Sequence, residues 1–226
     1  MSLADQLERV RAAMAAACAR RGRSESAVRL LAATKTVAPE RIREAHRLGL
    51  RLFGENRVQE REAKREALAD LEAEWHLLGP LQGNKAARAL AGFDLIETLD
   101  SLALAQRLSR LAPRPAAVML EINIGEEPQK HGVAPAAAEE VARAVAALPG
   151  LALGGVMGIP PAAAAAEASR RHFAALAELG ERVRQAAGAA SAGWELSMGM
   201  SHDFEVAIEE GATLVRLGQA LFGSRR

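Results

Sequence analysis

Short apolar runs alternate with helix-like segments along the whole chain. The first run, 29–34 (RLLAAT), lies between polar turns and predicts a buried strand. The segment that follows, 39–49 (PERIREAHRLG), predicts a helix with Pro in its first turn and Gly at its end. Seven further strands are predicted at 50–54, 75–79, 93–98, 116–123, 151–158, 195–199 and 212–218. The helix-like segments between them are 56–72, 82–90, 101–111, 134–147, 162–187 and 202–210.

An additional helix is predicted before the first strand. Its apolar positions recur on one helical face at Leu3, Leu7, Val10 and Met14. Ser2, with Asp5 three residues later, has the pattern of a capping box at the start of this helix. The alanine-rich run 162–168 (AAAAAEA) is also interpreted as helix, because alanine has the highest helix propensity.

The alternation of strands and helices predicts parallel βαβ units and an α/β fold. Eight such units in 226 residues are the pattern of a (β/α)8 TIM-type barrel. We predict a single barrel domain over residues 1–226, with the helix at 1–22 packed on it. A doubly wound open sheet is the alternative, but it usually has fewer strands, and the sequence contains neither GxGxxG nor GxxxxGK[ST].

Composition excludes several classes of function. The 29 basic residues nearly balance 28 acidic ones and aromatic content is 3%, so we expect no nucleic-acid partner. The single cysteine, Cys18, cannot form an internal disulfide, and no Cys/His spacing predicts a metal site. The sequence has no signal-peptide pattern and no apolar run near the ~20 residues of a membrane span. We therefore expect a cytoplasmic protein without a membrane partner.

Lysine is rare among the basic residues. Four of the 29 are lysines, at positions Lys35, Lys64, Lys85 and Lys130. Arginine stays protonated, whereas lysine can lose its proton and form an imine, so these four are the candidates for amine chemistry. Lys35 directly follows the first predicted strand, at the end of a barrel where active sites lie. We expect Lys64 on a solvated helix face, Lys85 at a helix start or rim, and Lys130 as a rim cation.

The segments that end the last two strands predict a phosphate site. Barrels often bind phosphate with the loops after strands seven and eight, here SMGMS (197–201) and VRLG (215–218). Gly199 and Gly218 would allow close backbone approach, Ser197 and Ser201 supply hydroxyls, and a helix start favours an anion. Strand eight neighbours strand one in a closed barrel, so Lys35 would lie beside this site, as a phosphorylated aldehyde requires.

Simpler interpretations of the same residues stay open at this point. Lys35 could be a surface lysine at a strand end, and SMGMS could be no more than a tight turn. His76 could be a hydrogen-bonded core histidine. Arg216, within a predicted strand, is different, because a charge that points into a barrel needs a partner.

The chain resembles the pyridoxal phosphate homeostasis protein family over nearly its whole length. The matching segments are 30–60 (LLAATKTVAPERIREAHRLGLRLFGENRVQE), 75–85 (WHLLGPLQGNK), 123–132 (NIGEEPQKHG), 154–161 (GGVMGIPP) and 197–223 (SMGMSHDFEVAIEEGATLVRLGQALFG). The resemblance implies a barrel like the N-terminal domain of alanine racemase, with pyridoxal 5'-phosphate (PLP) bound as an imine to Lys35. It implies a phosphate site at Gly199, Met200, Ser201 and Gly218, with Arg216 facing the pyridine nitrogen, Asn56 near the ring, and His76 and Met157 shaping the pocket. Many members have a second lysine where this chain has Val37, so a relay through that position is not expected.

The resemblance implies a cofactor-binding protein in intracellular vitamin B6 homeostasis and PLP supply, without an established reaction. Racemases on this barrel are expected to use a tyrosine from a second domain, but this chain has no tyrosine and ends at Arg226. The permanent charge of Arg216 would favour an unprotonated ring nitrogen, which weakens carbanion chemistry. We therefore expect a monomeric carrier that hands PLP to apo-enzymes or free amines. The alternatives are a racemase-like or lyase enzyme on the same barrel, and a barrel that binds another phosphorylated metabolite non-covalently.

Overall fold

Eight parallel strands form a closed barrel, and a helix follows each strand on the outside. The computed structural model describes residues 1–223. The strands are β1 (Arg29–Ala33), β2 (Leu52–Glu55), β3 (Glu74–Leu77), β4 (Leu95–Leu99), β5 (Ala116–Ile122), β6 (Leu151–Gly158), β7 (Glu195–Ser197) and β8 (Leu214–Leu217). The helices are α1 (Leu3–Arg20), α2 (Pro39–Arg47), α3 (Val58–Arg65), α4 (Ala86–Gly92), α5 (Leu102–Leu111), α6 (Ala138–Ala146), α7 (Arg170–Ala186), α8 (Phe204–Glu209) and α9 (Gln219–Phe222).

The strands follow one another around the barrel in sequence order, and β8 closes the ring against β1. In this closing pair Leu31 lies opposite Arg216. The predicted (β/α)8 barrel is therefore confirmed, because an open doubly wound sheet would leave these two strands apart. The single domain predicted from the sequence extends to Arg226, and its last three residues, 224–226, lie outside the described residues.

The first helix begins at a complete capping box. The Asp5 N–H donates to Ser2 Oγ at 3.1 Å, and the Ser2 N–H donates to the Asp5 carboxylate at 2.9 Å. The buried face of α1 includes Leu3, Leu7 and Val10. This helix contacts α8 and α9, so it lies against the helices that follow the last two strands.

The alanine-rich run after Pro161 is where the helix prediction is wrong. Residues 162–165 are not helical, a 3-10 turn covers Ala166–Ser169, and α7 begins at Arg170. Three of the four residues 162–165 are exposed, so no apolar face holds them against the barrel. High propensity alone does not stabilise so short an exposed helix, because its first turn costs more than it gains.

Two apolar cores lie on the two sides of the sheet. The larger one fills the space between the strands and the surrounding helices. The smaller one lies inside the barrel and consists of Leu31, Leu52, Leu95, Met119, Met157 and Leu214. Strand side chains alternate between the two sides, and the buried residues of the sheet also include His76, Glu97, Ser197 and Arg216. The interior of this barrel is therefore partly polar.

Within residues 1–223, no helix is both long and apolar enough to cross a bilayer. Nor do those residues contain a group of three or more His, Cys, Asp or Glu side chains arranged to hold a metal ion.

Candidate functional site

A cavity of about 660 Å³ opens at the carboxyl ends of the strands. Six of the ten residues to which the sequence or the resemblance assigned a place at the site line it: Lys35, Asn56, Met200, Ser201, Arg216 and Gly218. Its apolar lining includes Ala33, Leu78 and Ile159, which also pack against the inner barrel core. The loops after β1, β2, β7 and β8 thus converge on one concave site of the size that binds small molecules.

The lining of this cavity is cationic. Lys35, Arg41 and Arg216 contribute its charges, His202 also lies in the lining, and none of the lining residues within the described chain is Asp or Glu. A concave surface with charge of one sign attracts a ligand of the opposite sign. Arg41 and His202 are not among the residues predicted from the sequence. His202 directly follows the SMGMS motif, whereas nothing in the sequence distinguishes Arg41 on α2 from the many other helical arginines.

Lys35 sits on a tight turn at the end of β1. The Val37 N–H donates to the Thr34 carbonyl oxygen at 2.9 Å, which closes the turn around Lys35 and Thr36. Thr36 has φ of 63°, in the left-handed region. This conformation is unfavourable for a β-branched residue and persists only where the surroundings enforce it. The residue beside Lys35 therefore holds local strain at the wall of the cavity.

Gly199 packs closely against α8. Its φ is 92°, and a Cβ atom added there would lie 2.5 Å from the Cβ of Ala207 and 3.0 Å from the Cα of Phe204. Gly199 is not among the residues that line the cavity. The close packing of α8 against the loop and the left-handed φ both favour glycine at this position.

The loops after β7 and β8 are tied to each other. The Ala220 N–H donates to Ser201 Oγ at 3.1 Å and so joins the two segments. Within the segment after β7, the Met200 N–H donates to Asp203 Oδ1 at 2.7 Å. Because Ser201 Oγ accepts from α9, its own O–H remains able to donate to an anion in the cavity. A Cβ atom at Gly218 would lie 3.3 Å from the Ala33 carbonyl oxygen, so β1 and β8 meet closely here.

Arg216 crosses from the cavity into the barrel interior. Its NH1 group donates to Ser197 Oγ at 2.5 Å, and its NH2 group donates to the Gly158 carbonyl oxygen at 3.2 Å. Ser197 Oγ in turn donates to Glu97 Oε2 at 2.6 Å, and that carboxylate oxygen lies 3.7 Å from Arg216 NH1. Ser197 is fully buried in these contacts. Its predicted role in the phosphate site is therefore wrong, because β7 directs its side chain inward.

Comparison with known proteins identifies the family. The family described as "Alanine racemase, N-terminal domain" matches residues 5–226. The chain is 44% identical to the pyridoxal phosphate homeostasis protein of Aquifex aeolicus, over 100% of both chains. It is 42% identical to the protein of that name from Pseudomonas aeruginosa, over 99% of this chain and 96% of the other. The chain belongs to the pyridoxal phosphate homeostasis protein family. The resemblance inferred from the motifs is thereby confirmed.

A solved structure of a relative is also closely similar. PipY of Synechococcus elongatus, determined with PLP bound, has a TM-score of 0.83 against this chain. The two are 36% identical, over 98% of this chain and 100% of PipY.

His76 and Met157 do not line the cavity, contrary to expectation. Met157 belongs to the inner barrel core, and His76 is fully buried. His76 Nδ1 lies 2.7 Å from Glu97 Oε1, and its Nε2 lies 2.8 Å from Glu74 Oε1. Both side chains lie deeper in the barrel than the strand ends, so the interpretation of His76 as a hydrogen-bonded core histidine is the correct one.

The ionisable side chains inside the barrel influence one another's pKa values. Burial is the largest influence on the pKa of His76 and lowers it, but hydrogen bonds and charges from Glu74 and Glu97 outweigh it and raise the pKa to about 9. Burial raises the pKa of Glu97, but His76 and Arg216 together outweigh burial and hold this pKa below its usual value. His76 is therefore an imidazolium at neutral pH, and both of its ring nitrogens donate.

Lys64 is not on a solvated face, so that expectation is wrong. Its side chain is 11% exposed and Glu55 is fully buried. Lys64 Nζ donates to Glu55 Oε1 at 2.7 Å and to the Thr34 carbonyl oxygen at 2.9 Å. Burial raises the pKa of Glu55, and the hydrogen bond and charge of Lys64 oppose that rise. One turn of α3 thus points a lysine inward at the residue before Lys35.

The other two lysines lie where the sequence placed them. Lys85 ends the 3-10 turn Gly83–Lys85 directly before α4. Lys130 forms an ion pair with Glu127 and donates to the Pro160 carbonyl oxygen at 3.0 Å.

A second cavity, of about 740 Å³, lies at the opposite end of the barrel. It is lined by α1 and by the amino-terminal ends of β1, β2 and β3, including Met14, Cys18 and Arg29. Barrels of this type carry their functional groups at the carboxyl ends of the strands. The smaller cavity, where the family motifs converge, is therefore the candidate site.

Proposed function

We propose that this chain binds PLP in the cavity at the carboxyl ends of the barrel strands, attaches the aldehyde to Lys35, and serves as a carrier of the cofactor. The observation that carries this proposal is the convergence of six family-motif residues on one cationic cavity. The relative PipY, 36% identical over its full length and solved with PLP bound, supports it. Bound PLP would supply a reactive aldehyde and a phosphate group at the two ends of one ligand.

The residues of the cavity fit such a ligand. The amine of Lys35 supplies the nucleophile for an aldehyde, and Ser201 supplies an O–H donor for a phosphate oxygen. The absence of carboxylates from the described lining removes repulsion against the phosphate charge. Arg216 stays charged beside Glu97 and, at the ring nitrogen, would favour the unprotonated form.

A carrier fits these residues better than a racemase does. The sequence contains no tyrosine, so the acid–base residue expected opposite the lysine of related racemases has no counterpart in it. The proposed acceptors of the stored cofactor are apo-enzymes and free amines, which exchange the aldehyde from one amine to another.

The experiment is to saturate the purified protein with PLP, reduce it with borohydride, and map the modified lysine by mass spectrometry. We expect one adduct on Lys35, its loss in Lys35→Ala, and an unchanged adduct in the matched control Lys85→Ala. A reducible adduct that persists in Lys35→Ala would contradict the covalent assignment. Racemisation or cleavage of amino acids that depends on Lys35 would contradict the carrier role, which predicts transfer of PLP to an apo-enzyme instead.

A further inference from the structure

The residue that precedes Lys35 is held by a buried ion pair from the neighbouring βα unit. Thr34 is fully buried at the end of β1. Its carbonyl oxygen accepts from Lys64 Nζ at 2.9 Å, and its hydroxyl donates to Glu55 Oε1 at 2.7 Å. Its N–H donates to the Gly54 carbonyl oxygen at 2.8 Å, and the same oxygen lies 3.1 Å from its hydroxyl. The Lys64–Glu55 pair thus adds two contacts to those that Gly54 of the neighbouring strand provides.

The same carbonyl oxygen also closes the turn that carries Lys35. It accepts from the Val37 N–H at 2.9 Å as well as from Lys64. Thr36 within this turn has the unfavourable φ of 63°. A strained turn keeps its shape only when its surroundings hold it at several points. Lys64 supplies such a point from α3, at the base of the turn.

Solvent cannot compensate for the loss of either side chain of the pair. Glu55 is fully buried and Lys64 is nearly so, and the two side chains lie 2.7 Å apart. When one partner of a buried pair is removed, the other is left as an uncompensated charge. Loss of Lys64 therefore removes a charge-assisted hydrogen bond to the turn and also disturbs the carboxylate that holds the Thr34 hydroxyl.

We propose that Lys64 and Glu55 are a positioning pair that fixes the turn carrying Lys35 and thereby slows the release of PLP. This inference rests on the proposed function, because it requires the aldehyde to be attached at Lys35. A ligand held at two ends is retained when both attachments are positioned for it at the same time. A looser turn would move Lys35 relative to the phosphate loops, and the two attachments would no longer support each other. Neither residue lines the cavity, so both act through Thr34.

The test compares Lys64→Met with the unchanged protein and with Lys64→Arg, which keeps the charge. Borohydride mapping first establishes that PLP is attached to Lys35 in the unchanged protein. The release rate is then followed by the activity that an excess of apo-enzyme regains. We expect release from Lys64→Met to be roughly tenfold faster or more, as loss of one charged hydrogen bond implies. Lys64→Arg should restore part of the slow release, and Lys85→Met is the matched control.

A second measurement separates positioning from general destabilisation. Inorganic phosphate occupies only the phosphate end of the site, so its affinity should be the same in Lys64→Met and in the unchanged protein. Parallel losses of phosphate affinity and PLP retention would overturn the proposal, because they would indicate a damaged fold. If Lys64→Met does not fold, Glu55→Gln, which keeps the side-chain size, decides the question by the same two measurements.

The outcomes distinguish this inference from the proposed function. An adduct that maps to Lys35, together with an unchanged release rate in Lys64→Met and Glu55→Gln, overturns the positioning pair alone. An adduct that is absent from Lys35 in the unchanged protein overturns both proposals. Faster release with unchanged phosphate affinity supports both.

Discussion

The substitution Glu97→Gln removes one negative charge from the closed interior of the barrel. In the folded protein Glu97 Oε1 lies 2.7 Å from His76 Nδ1, and Oε2 accepts from Ser197 Oγ at 2.6 Å. The same carboxylate lies 3.7 Å from Arg216 NH1. Glutamine keeps the volume, but it leaves the imidazolium and the guanidinium without the charge between them. We therefore expect a loss of stability larger than the loss of one hydrogen bond.

The size of the effect can be bounded from His76. Its pKa rises from 6.5 to about 9, which corresponds to at most about 3.4 kcal/mol at 1.36 kcal/mol per pKa unit. Glu74 provides part of this, so the share of Glu97 through His76 is smaller. Removal of one partner of a buried pair typically destabilises a protein by about 3–5 kcal/mol. We expect a loss of about 3 kcal/mol near neutral pH, which lowers Tm by roughly 6–12 °C in a chain of this length.

The pH dependence has a definite sign. A histidine whose folded pKa is raised contributes stability that is fully present below pH 6.5 and is lost as the pH rises through about 9. The lowered pKa of Glu97 means that its own contribution is lost as the pH falls below 4.5. The difference between the unchanged protein and Glu97→Gln should therefore be largest between pH 4.5 and pH 6.5 and should narrow toward pH 9.

The assay is urea unfolding followed by tryptophan fluorescence across that pH range. Ser197→Ala is the matched control, because it removes the hydrogen bonds to Glu97 and Arg216 but keeps every charge, and we expect it to lose about 1.5–3 kcal/mol at every pH in this range. If the deficit of Glu97→Gln is as independent of pH as that of Ser197→Ala, charge balance does not stabilise the barrel interior.

Three further predictions concern single positions. Burial raises the pKa of Glu121 from 4.5 to about 7, so Glu121→Gln should match the unchanged protein below pH 4.5 and exceed its stability by about 1–3 kcal/mol above pH 7; a difference in Tm that does not vary with pH would contradict this. A Cβ atom at Gly79 would lie 2.1 Å from the Asn56 carbonyl oxygen, so Gly79→Ala should destabilise the protein by about 1–3 kcal/mol and weaken PLP binding in a titration, whereas Gly154→Ala, with open space around it, should do neither. Thr36→Gly should stabilise the protein by roughly 0.5–1 kcal/mol, because left-handed φ costs a residue with a Cβ atom about 1–2 kcal/mol and the added freedom of the unfolded chain returns part of that gain; a loss of stability in urea unfolding would refute the strain assigned to this turn.

The strand count and the location of the site could be predicted because both depend on local pattern. Each apolar run between turn signals became a strand, and the closed ring brought the segment after β8 beside Lys35. The lysine was identifiable because lysines are rare in this chain and because this one ends a strand. Position along the strands thus carried most of the information about the cavity.

The direction of individual side chains could not be predicted in the same way. Alternation places Ser197 on the same side of β7 as Glu195, but it does not show how deep in the barrel each side chain lies. The Ser197 hydroxyl lies deep enough in the barrel to contact Glu97. At that depth it could not also contact a phosphate group at the rim. Lys64 was misplaced for a related reason. Its helix is rich in charged residues, which suggests a solvated face. Only the packed structure shows that Lys64 forms an ion pair with the buried Glu55.

The polar interior follows from the placement of one cation. Arg216 reaches the cavity from inside the barrel, where water cannot solvate its inner side, so Glu97 must balance it. A buried carboxylate needs partners on both oxygens, and His76 provides one of them as an imidazolium. That second cation requires Glu74, which extends to Arg29 at the amino-terminal end of β1. A single charge at the site therefore determines a chain of alternating charges across the barrel, and this explains why the short strands β3, β4 and β8 carry ionisable residues at inward positions where other barrels place apolar ones.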